Sequence, residues 1–341
     1  MPVVTDITAQ DHHLFRGEDN VFTNPASDCI NIGLVNNMPD SALVSTERQL
    51  FELIDAAASS LLVRLRFYTI EATPRSDWGR DYVRRFYFDN YDLWDSDLDG
   101  VIVTGAEPQT SRLIEEPYWD TLRKTVDWAT DNTLSAIWSC LAVHGAVLHL
   151  DGIDRHPLPN KCVGVFDQKR LTDHPLMQNI GPQLKTPHSR WNEVREVDLV
   201  DRGYTILTKS AEAGVDTFIK RQSRSMFIFF QGHPEYEAQS LLGEYRRDIG
   251  RFLRRELDTY PAIPKGYFDD KAKKALIAFK QHAILNKEPG VLASFPVEIA
   301  AMTLKRTWYD SAKQLFKNWL LYLQDRKRES LGRTAGLMRP H

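Results

Sequence analysis

The sequence predicts an α/β fold: a doubly wound, mostly parallel sheet flanked by helices, with a C-terminal helical extension. Three observations lead there. Between Cys29 and Gly152, short apolar runs alternate with stretches of helical period, the pattern of strands joined by helical crossovers. Most of those runs are apolar throughout, as strands buried on both faces are. After Gly152 the period shortens to brief strands separated by turns, and helical periodicity returns only near residue 238.

Each element follows in order. Residues 1–27 show no sustained period and read as an N-terminal arm. CINIGLVNN is a β-branched, apolar strand that breaks at NNMPD. In the helix STERQLFELIDAAASS, Ser45 or Thr46 is the expected cap, and Leu50, Leu53 and Ile54 share one face. LLVRLRFYTI alternates apolar with basic residues as a second strand. LDGVIVTGAE is a third, ending in a turn at Thr104-Gly105-Ala106. PYWDTLRKTVDWATDN is helical, LSAIWSC is a fourth strand, and LAVHGAVLHLDG is a helix closed by Gly152. KCVGVFDQKRLT, RGYTILTKS, AGVDTFIKR and SMFIFFQGHP are short strands. AQSLLGEYRRDIGRFLRREL closes an α/β domain that spans 28–258. The extension, 259–341, carries a helix near DDKAKKALIAFKQHAIL, a last amphipathic helix in TWYDSAKQLFKNWLLYLQD, and a basic tail expected to fray. Trp308, Phe316, Trp319 and Tyr322 recur at helical spacings and are expected to pack on the core or on a sister subunit.

Composition excludes several classes of function. Of the 341 residues, 43 are Lys or Arg and 46 are Asp or Glu, a net charge of −3 with no basic excess to replace phosphate counterions, so no nucleic acid is expected. No apolar run spans a bilayer, and the polar N-terminus reads as neither a signal nor a transit peptide, so the expected compartment is the cytoplasm. Three scattered cysteines make neither a disulfide framework nor a zinc site. No metal is expected, since HExxH is absent and His12-His13 has no helix or strand geometry to hold one. No GxGxxG or Walker A loop indicates a dinucleotide or ATP.

The candidate chemistry begins at Cys140, between an apolar strand and a helix of small residues. A side chain at such a turn projects from the carboxyl edge of the sheet, where the helix N-terminus favours a thiolate. A buried cysteine that packs as a small hydrophobe is the alternative, and that reading holds for Cys29 and Cys162. His233 and Glu235 are two apart, so in extended backbone they share a face, and the carboxylate can hold the imidazole's tautomer and stabilise its cation. Together they form a candidate Cys-His-Glu triad. Backbone amides at Gly105 and Ala106, on a strand expected beside that of Cys140, join the Leu141 amide as a candidate oxyanion hole; a turn that simply requires glycine is the other reading. His144, one turn after Cys140, is expected at the pocket mouth, and His149 on the helix surface.

These residues resemble the homoserine O-acyltransferases of the succinyltransferase type, whose fold is similar to that of class I glutamine amidotransferases. The resemblance runs from about Ile30 to Asp248 through IGLVNNMPDS, LDGVIVTGA, PYWDTL, SCLAVHGAVLHLDGI, HPLPNKCVGVFDQ, TPHSRWNEV, SAEAGV and GHPEYEAQSLLGEYRRD, and returns in TWYDSAKQLFKNWLLYL. It implies Cys140 as the nucleophile that takes an acyl group from acyl-CoA, His233 as general base and Glu235 as its partner. It further implies Arg247 as a partner for a substrate carboxylate, with Ser189 and Arg190 of the PHSR segment beside the substrate pocket. Acyl-CoA, succinyl or acetyl, is then a co-substrate, no cofactor is bound, the acceptor is homoserine or an analogue such as serine, and the enzyme is a homodimer serving methionine synthesis.

The departures concern the substrate. Met38-Pro39 is followed by DSALVSTE, two residues longer than the family's stretch and lacking its lysine, and Leu141-Ala142 stands where the family has Trp-Gly. Gln109 occupies the position at which glutamate accompanies acetyl-CoA and glycine succinyl-CoA. The segment from about Lys265 to Ala300 is unlike the family. Two other readings compete: glutamine hydrolysis or amide transfer with the same triad, and a diverged non-catalytic binding protein.

Overall fold

The computed structural model describes residues 2–6, 12–14, 29–106 and 108–337. Its elements begin with β1 (Val3–Thr5), β2 (Cys29–Val35), α1 (Asp40–Ala58), β3 (Leu62–Tyr68), α2 (Asp77–Phe86), α3 (Asn90–Trp94) and β4 (Gly100–Val103). They continue with α4 (Trp119–Asn132), β5 (Ser135–Ser139), α5 (Leu141–Asp151), β6 (His156–Arg170), β7 (Gln183–Glu193), α6 (Glu196–Val200), β8 (Thr205–Ile206), β9 (Thr208–Ser210) and β10 (Gly214–Val215). β11 (Thr217–Gln222), β12 (Ser225–Phe230), α7 (Ser240–Leu253), α8 (Asp270–Leu285), α9 (Val297–Ala301) and α10 (Tyr309–Leu337) complete the chain.

Eight strands form the main sheet in the order β1-β3-β2-β4-β5-β12-β11-β8, and β6, β7, β9 and β10 form a second, antiparallel one. From β1 to β12 every pairing in the main sheet is parallel, and β11 and β8 close it antiparallel. The chain leaves β2 for β3 on one side and then returns to β4 on the other. The crevice between the carboxyl ends of β2 and β4 is therefore the topological switch point, where open α/β sheets bind ligands.

Alternation along the strands divides the core into two layers. Ile102, Ile137, Ile228 and Phe230 face α1 and α10, whereas Val101, Val103, Ala136, Trp138, Phe227 and Phe229 face α4 and α5. Trp319 and Phe316 of α10 are buried against the first layer, so the last helix covers the sheet of its own chain. Gly100 permits this approach, because a Cβ there would lie 2.9 Å from Leu323 and 3.0 Å from Trp319.

Several elements differ from the sequence expectations. Within the expected N-terminal arm, Val3–Thr5 pair with β3 as an edge strand; residues 7–11 and 15–28 lie outside the described ones. Helix α1 starts at Asp40, not near Ser45, with Pro39 at the N-cap and no side-chain cap. The tail expected to fray continues as helix to Leu337, beyond which 338–341 lie outside the described residues. The PHSR segment is the middle of strand β7, paired with β6. No helix among the described residues is long and apolar enough to cross a membrane.

Candidate active site

Strand β5 is buried along its whole length, and the chain turns into α5 at Cys140. There φ is 54° and ψ −116°, a conformation that strains a residue with a Cβ. Two backbone bonds fix the turn: Cys140 N–H donates to Phe230 O at the end of β12 (2.9 Å), and Cys140 O accepts Val143 N–H (3.0 Å). The side chain is thereby held at the head of α5, whose first amides lack helical acceptors. Burial pushes the other two thiols away from the anion: Cys29 rises to about 11, and Cys162 rises despite Arg190 nearby.

His233 follows β12 and is buried. Its Nδ1 contacts Glu235 Oε1 at 2.8 Å, which leaves Nε2 for proton exchange. The segment is a turn closed by Tyr236 N–H to His233 O (3.2 Å), not the extended backbone expected from the spacing. The two side chains meet across that turn. Burial opposes a charged imidazole here, yet the Glu235 carboxylate and Cys140, through charge and hydrogen bonding, hold His233 well above its ordinary range. The Tyr236 ring stacks on the imidazole, with centroids 4.2 Å apart. Gly232 permits the approach of the strand behind, since a Cβ there would lie 2.5 Å from Thr186 Cγ2 and 2.9 Å from Pro187 O.

The Thr104-Gly105-Ala106 turn lies at the end of β4, which pairs with β5. A Cβ on Gly105 would sit 2.8 Å from Leu141 N, so the two backbones are packed against each other. Gly105→Ala is expected to displace the Leu141 amide, lowering kcat by roughly 10²-fold and the melting temperature as well, because the added Cβ meets backbone and not a yielding side chain. Steady-state kinetics beside calorimetry checks it, and undiminished kcat would remove these amides from the reaction. Asn37 N–H donates to Thr104 Oγ1 (2.8 Å) and Asn37 Oδ1 accepts from Ile70 N (3.1 Å), stitching this turn to the end of β2.

At the switch point a cleft of about 530 Å³ is lined by Asn37, Asp40, Arg75, Ala106 and Gln109, among others. The exposed Gln109 is held through its backbone, its N–H donating to Glu116 Oε1 (2.8 Å). The buried Arg75 guanidinium donates to Asn36 O (2.9 Å), Met38 O (3.1 Å) and Asp40 Oδ1 (3.4 Å), and so shapes the loop before α1.

On the other side of Tyr236 lies a polar cluster. Ser189 Oγ and Tyr236 Oη each donate to Glu244, Lys161 Nζ meets Asp248 Oδ2 at 2.6 Å, and Arg247, partly exposed, is 3.4 Å from Asp248. Ser189 and Arg247 thus come to one cluster beside the His233 segment. Arg190 does not join them: it is buried, and its guanidinium donates to Asn192 O (2.8 Å) and to Ala213 O. Strand pairing turned it inward, which the residue type could not reveal. His144 is likewise buried and not at a pocket mouth; burial, then Arg190 and Arg155, push it down to about 3. His149 pairs with Asp127 at 2.6 Å.

His12 and His13 lie near Glu47, with Nε2 to Oε2 distances of 3.3 and 3.5 Å. Nδ1 of His12 accepts the Leu14 N–H (3.1 Å), so the neutral ring carries its proton on Nε2, the atom that would have to bind a metal. The Tyr82 and Tyr87 hydroxyls both donate to Glu47. This is a closed hydrogen-bonded group that fastens the N-terminal segment to α1.

Asn37, Arg75, Glu116, Lys161 and Glu244 were missed by sequence reasoning. Only Glu244 carried a signal, three residues before Arg247 and so on the same face of α7.

The chain is thus an α/β protein with an open, mostly parallel sheet, a strained cysteine on a strand-to-helix elbow and a histidine–carboxylate pair beside it. A family model described as homoserine O-succinyltransferase matches residues 7–329. A homoserine O-succinyltransferase of Rhodopseudomonas palustris is 48% identical over 298 residues, covering 87% of this chain and 89% of its own. Another, from Methylorubrum extorquens, is 43% identical over 302 residues, 89% of either chain. A glutamine amidotransferase structure from Thermotoga maritima aligns with a TM-score of 0.47 at 10% identity, over 86% of this chain and 98% of its own. The chain belongs to the homoserine O-succinyltransferase family. It is a transferase, of the O-acyltransferase kind.

Proposed function

We propose that this enzyme moves an acyl group from acyl-CoA to the side-chain hydroxyl of L-homoserine through a thioester on Cys140. The observation that carries the reading is the strained Cys140 acting on the buried His233–Glu235 pair, beside the packed Gly105 and Leu141 backbones. The Cys140 thiolate attacks the thioester carbonyl, and the amides of Gly105, Ala106 and Leu141 face the oxyanion. The bond to the CoA sulfur breaks, and CoA leaves as a thiol with the imidazolium proton. The neutral imidazole then takes the proton of the acceptor hydroxyl, whose oxygen attacks the acyl-cysteine; the thiolate leaves and the imidazolium re-forms.

The switch-point cleft, which reaches the oxyanion turn at Ala106, is the place for the acyl donor. The family name of the relatives favours succinyl-CoA over acetyl-CoA, with Gln109 on the cleft wall. Arg247, a planar fork of donors at the edge of the opposite polar cluster, suits the acceptor's carboxylate, with Ser189 nearby. The product belongs to the synthesis of methionine, and the working form we propose is a cytoplasmic homodimer.

Incubation with succinyl-CoA is expected to add one succinyl group to Cys140, seen by intact and peptide mass spectrometry, and homoserine should discharge it. Acetyl-CoA, and serine or glutamine as alternative substrates, complete the matrix. An unmodified Cys140 with either donor, together with ammonia release from glutamine, would establish the amidotransferase reading instead.

A further inference from the structure

The turn His233-Pro234-Glu235-Tyr236 ends in two consecutive carbonyls, those of Glu235 and Tyr236, that accept from side chains. Both are met by one side chain from about seventy residues downstream. Arg306 Nε donates to Tyr236 O (2.7 Å) and its Nη2 to Glu235 O (2.8 Å). Trp308, buried at the start of the last helical segment, adds Nε1 to Tyr236 O (2.9 Å). The Arg306 guanidinium also lies over the Tyr309 ring, 4.5 Å from its centroid, which fixes the plane of the fork. From the other side, α1 holds the next residue: Arg48 binds the Glu237 carboxylate at 2.9 and 3.0 Å.

We infer that Arg306 is a positioning residue for the acid–base pair, a fork that locks the two peptide planes flanking Tyr236 and thereby aims the Glu235 carboxylate at His233. The planes it fixes set ψ of Glu235 and both dihedrals of Tyr236. Those angles decide whether Glu235 keeps its 2.8 Å contact with Nδ1 and whether the Tyr236 ring stays on the imidazole. A lysine keeps the charge but has no planar pair of donors to span two carbonyls. Nothing in the chemistry of Arg306 places it on a substrate, so its effect belongs to kcat and to the imidazole, not to KM.

This inference rests on the triad reading above, and the test separates the two. The rate of Cys140 alkylation by iodoacetamide is measured against pH without any substrate, in the parent and in Arg306→Met, Arg306→Lys and His233→Ala, with Cys140→Ser as the blank for Cys29 and Cys162. In Arg306→Met the imidazolium loses its aligned carboxylate. Alkylation near neutral pH should slow severalfold and the alkaline limb of the kcat profile should move to lower pH. In the same variant kcat should drop about tenfold, with KM changed by less than about twofold. Arg306→Lys, close in size and charge, should fold and restore only part of the loss. If both variants alkylate and turn over within about twofold of the parent while their melting temperatures fall, Arg306 merely holds the C-terminal segment and the inference fails. If His233→Ala alkylates as fast as the parent, the triad reading itself has failed.

Discussion

Cys140→Gly should abolish acyl transfer and at the same time raise the melting temperature. The thiol is the nucleophile that the enzyme itself supplies in the proposed route, and losing it costs about 10³-fold or more in kcat. The backbone argument runs in the opposite direction. At φ 54° and ψ −116° a Cβ is strained by roughly 1–3 kcal/mol, whereas glycine adopts this conformation as readily as its mirror image. The turn itself depends on backbone bonds to Phe230 and Val143, which glycine keeps. Cys140→Ser, with the same Cβ, should be inactive at an unchanged melting temperature. Calorimetry of the two variants beside a CoA-release assay decides the matter. An inactive but destabilised glycine variant would show that the elbow stores no strain.

Trp319→Ala is expected to cost about 3–5 kcal/mol, the range for a large buried aromatic whose site cannot collapse. Trp319 is completely buried between the sheet and the rest of α10, with its ring against Gly100 and near Phe316. Its Nε1 donates to Ser135 Oγ (3.0 Å), and that hydroxyl donates to Met226 O (2.6 Å). Removing the indole therefore leaves a void and breaks a buried chain of bonds that crosses from β5 to β12. Urea titration measures the loss as a lower midpoint. A change below about 1 kcal/mol would mean that α10 is a dispensable appendage and not one wall of the core.

Much of this architecture was legible because its signals are local. The apolar runs of β2, β4, β5 and β12 declare strands buried on both faces, and the junction of AIWS with LAVHGAV puts Cys140 on an elbow. The adjacency of β4 and β5, which brings Gly105 to Leu141, follows from that alternation. What stayed hidden depends on pairings remote in sequence. Strand β7 contains a proline and alternates poorly, so only its long pairing with β6 makes it a strand. Arg190 has the chemistry of an anion ligand, yet that strand aims it at backbone carbonyls. Helix α2 is polar and announces itself only by the Ser76 cap, which accepts from Gly79 N. The three residues of β1 are too few to show a period. The His233–Glu235 contact was anticipated from a spacing of two, although the structure achieves it by a turn.

The position of α10 over the sheet has a consequence for synthesis on the ribosome. The strands of the main sheet are all made by Phe230, but the face that carries Ile137, Ile228 and Phe230 is closed by residues 312–323. Between those two moments, while some eighty further residues are added at about 5–20 residues per second, α1 covers only its own part of this apolar face and the part that α10 takes stays open. This is the interval in which a chaperone that shields apolar surface would be needed, and in which a chain truncated before α10 would aggregate.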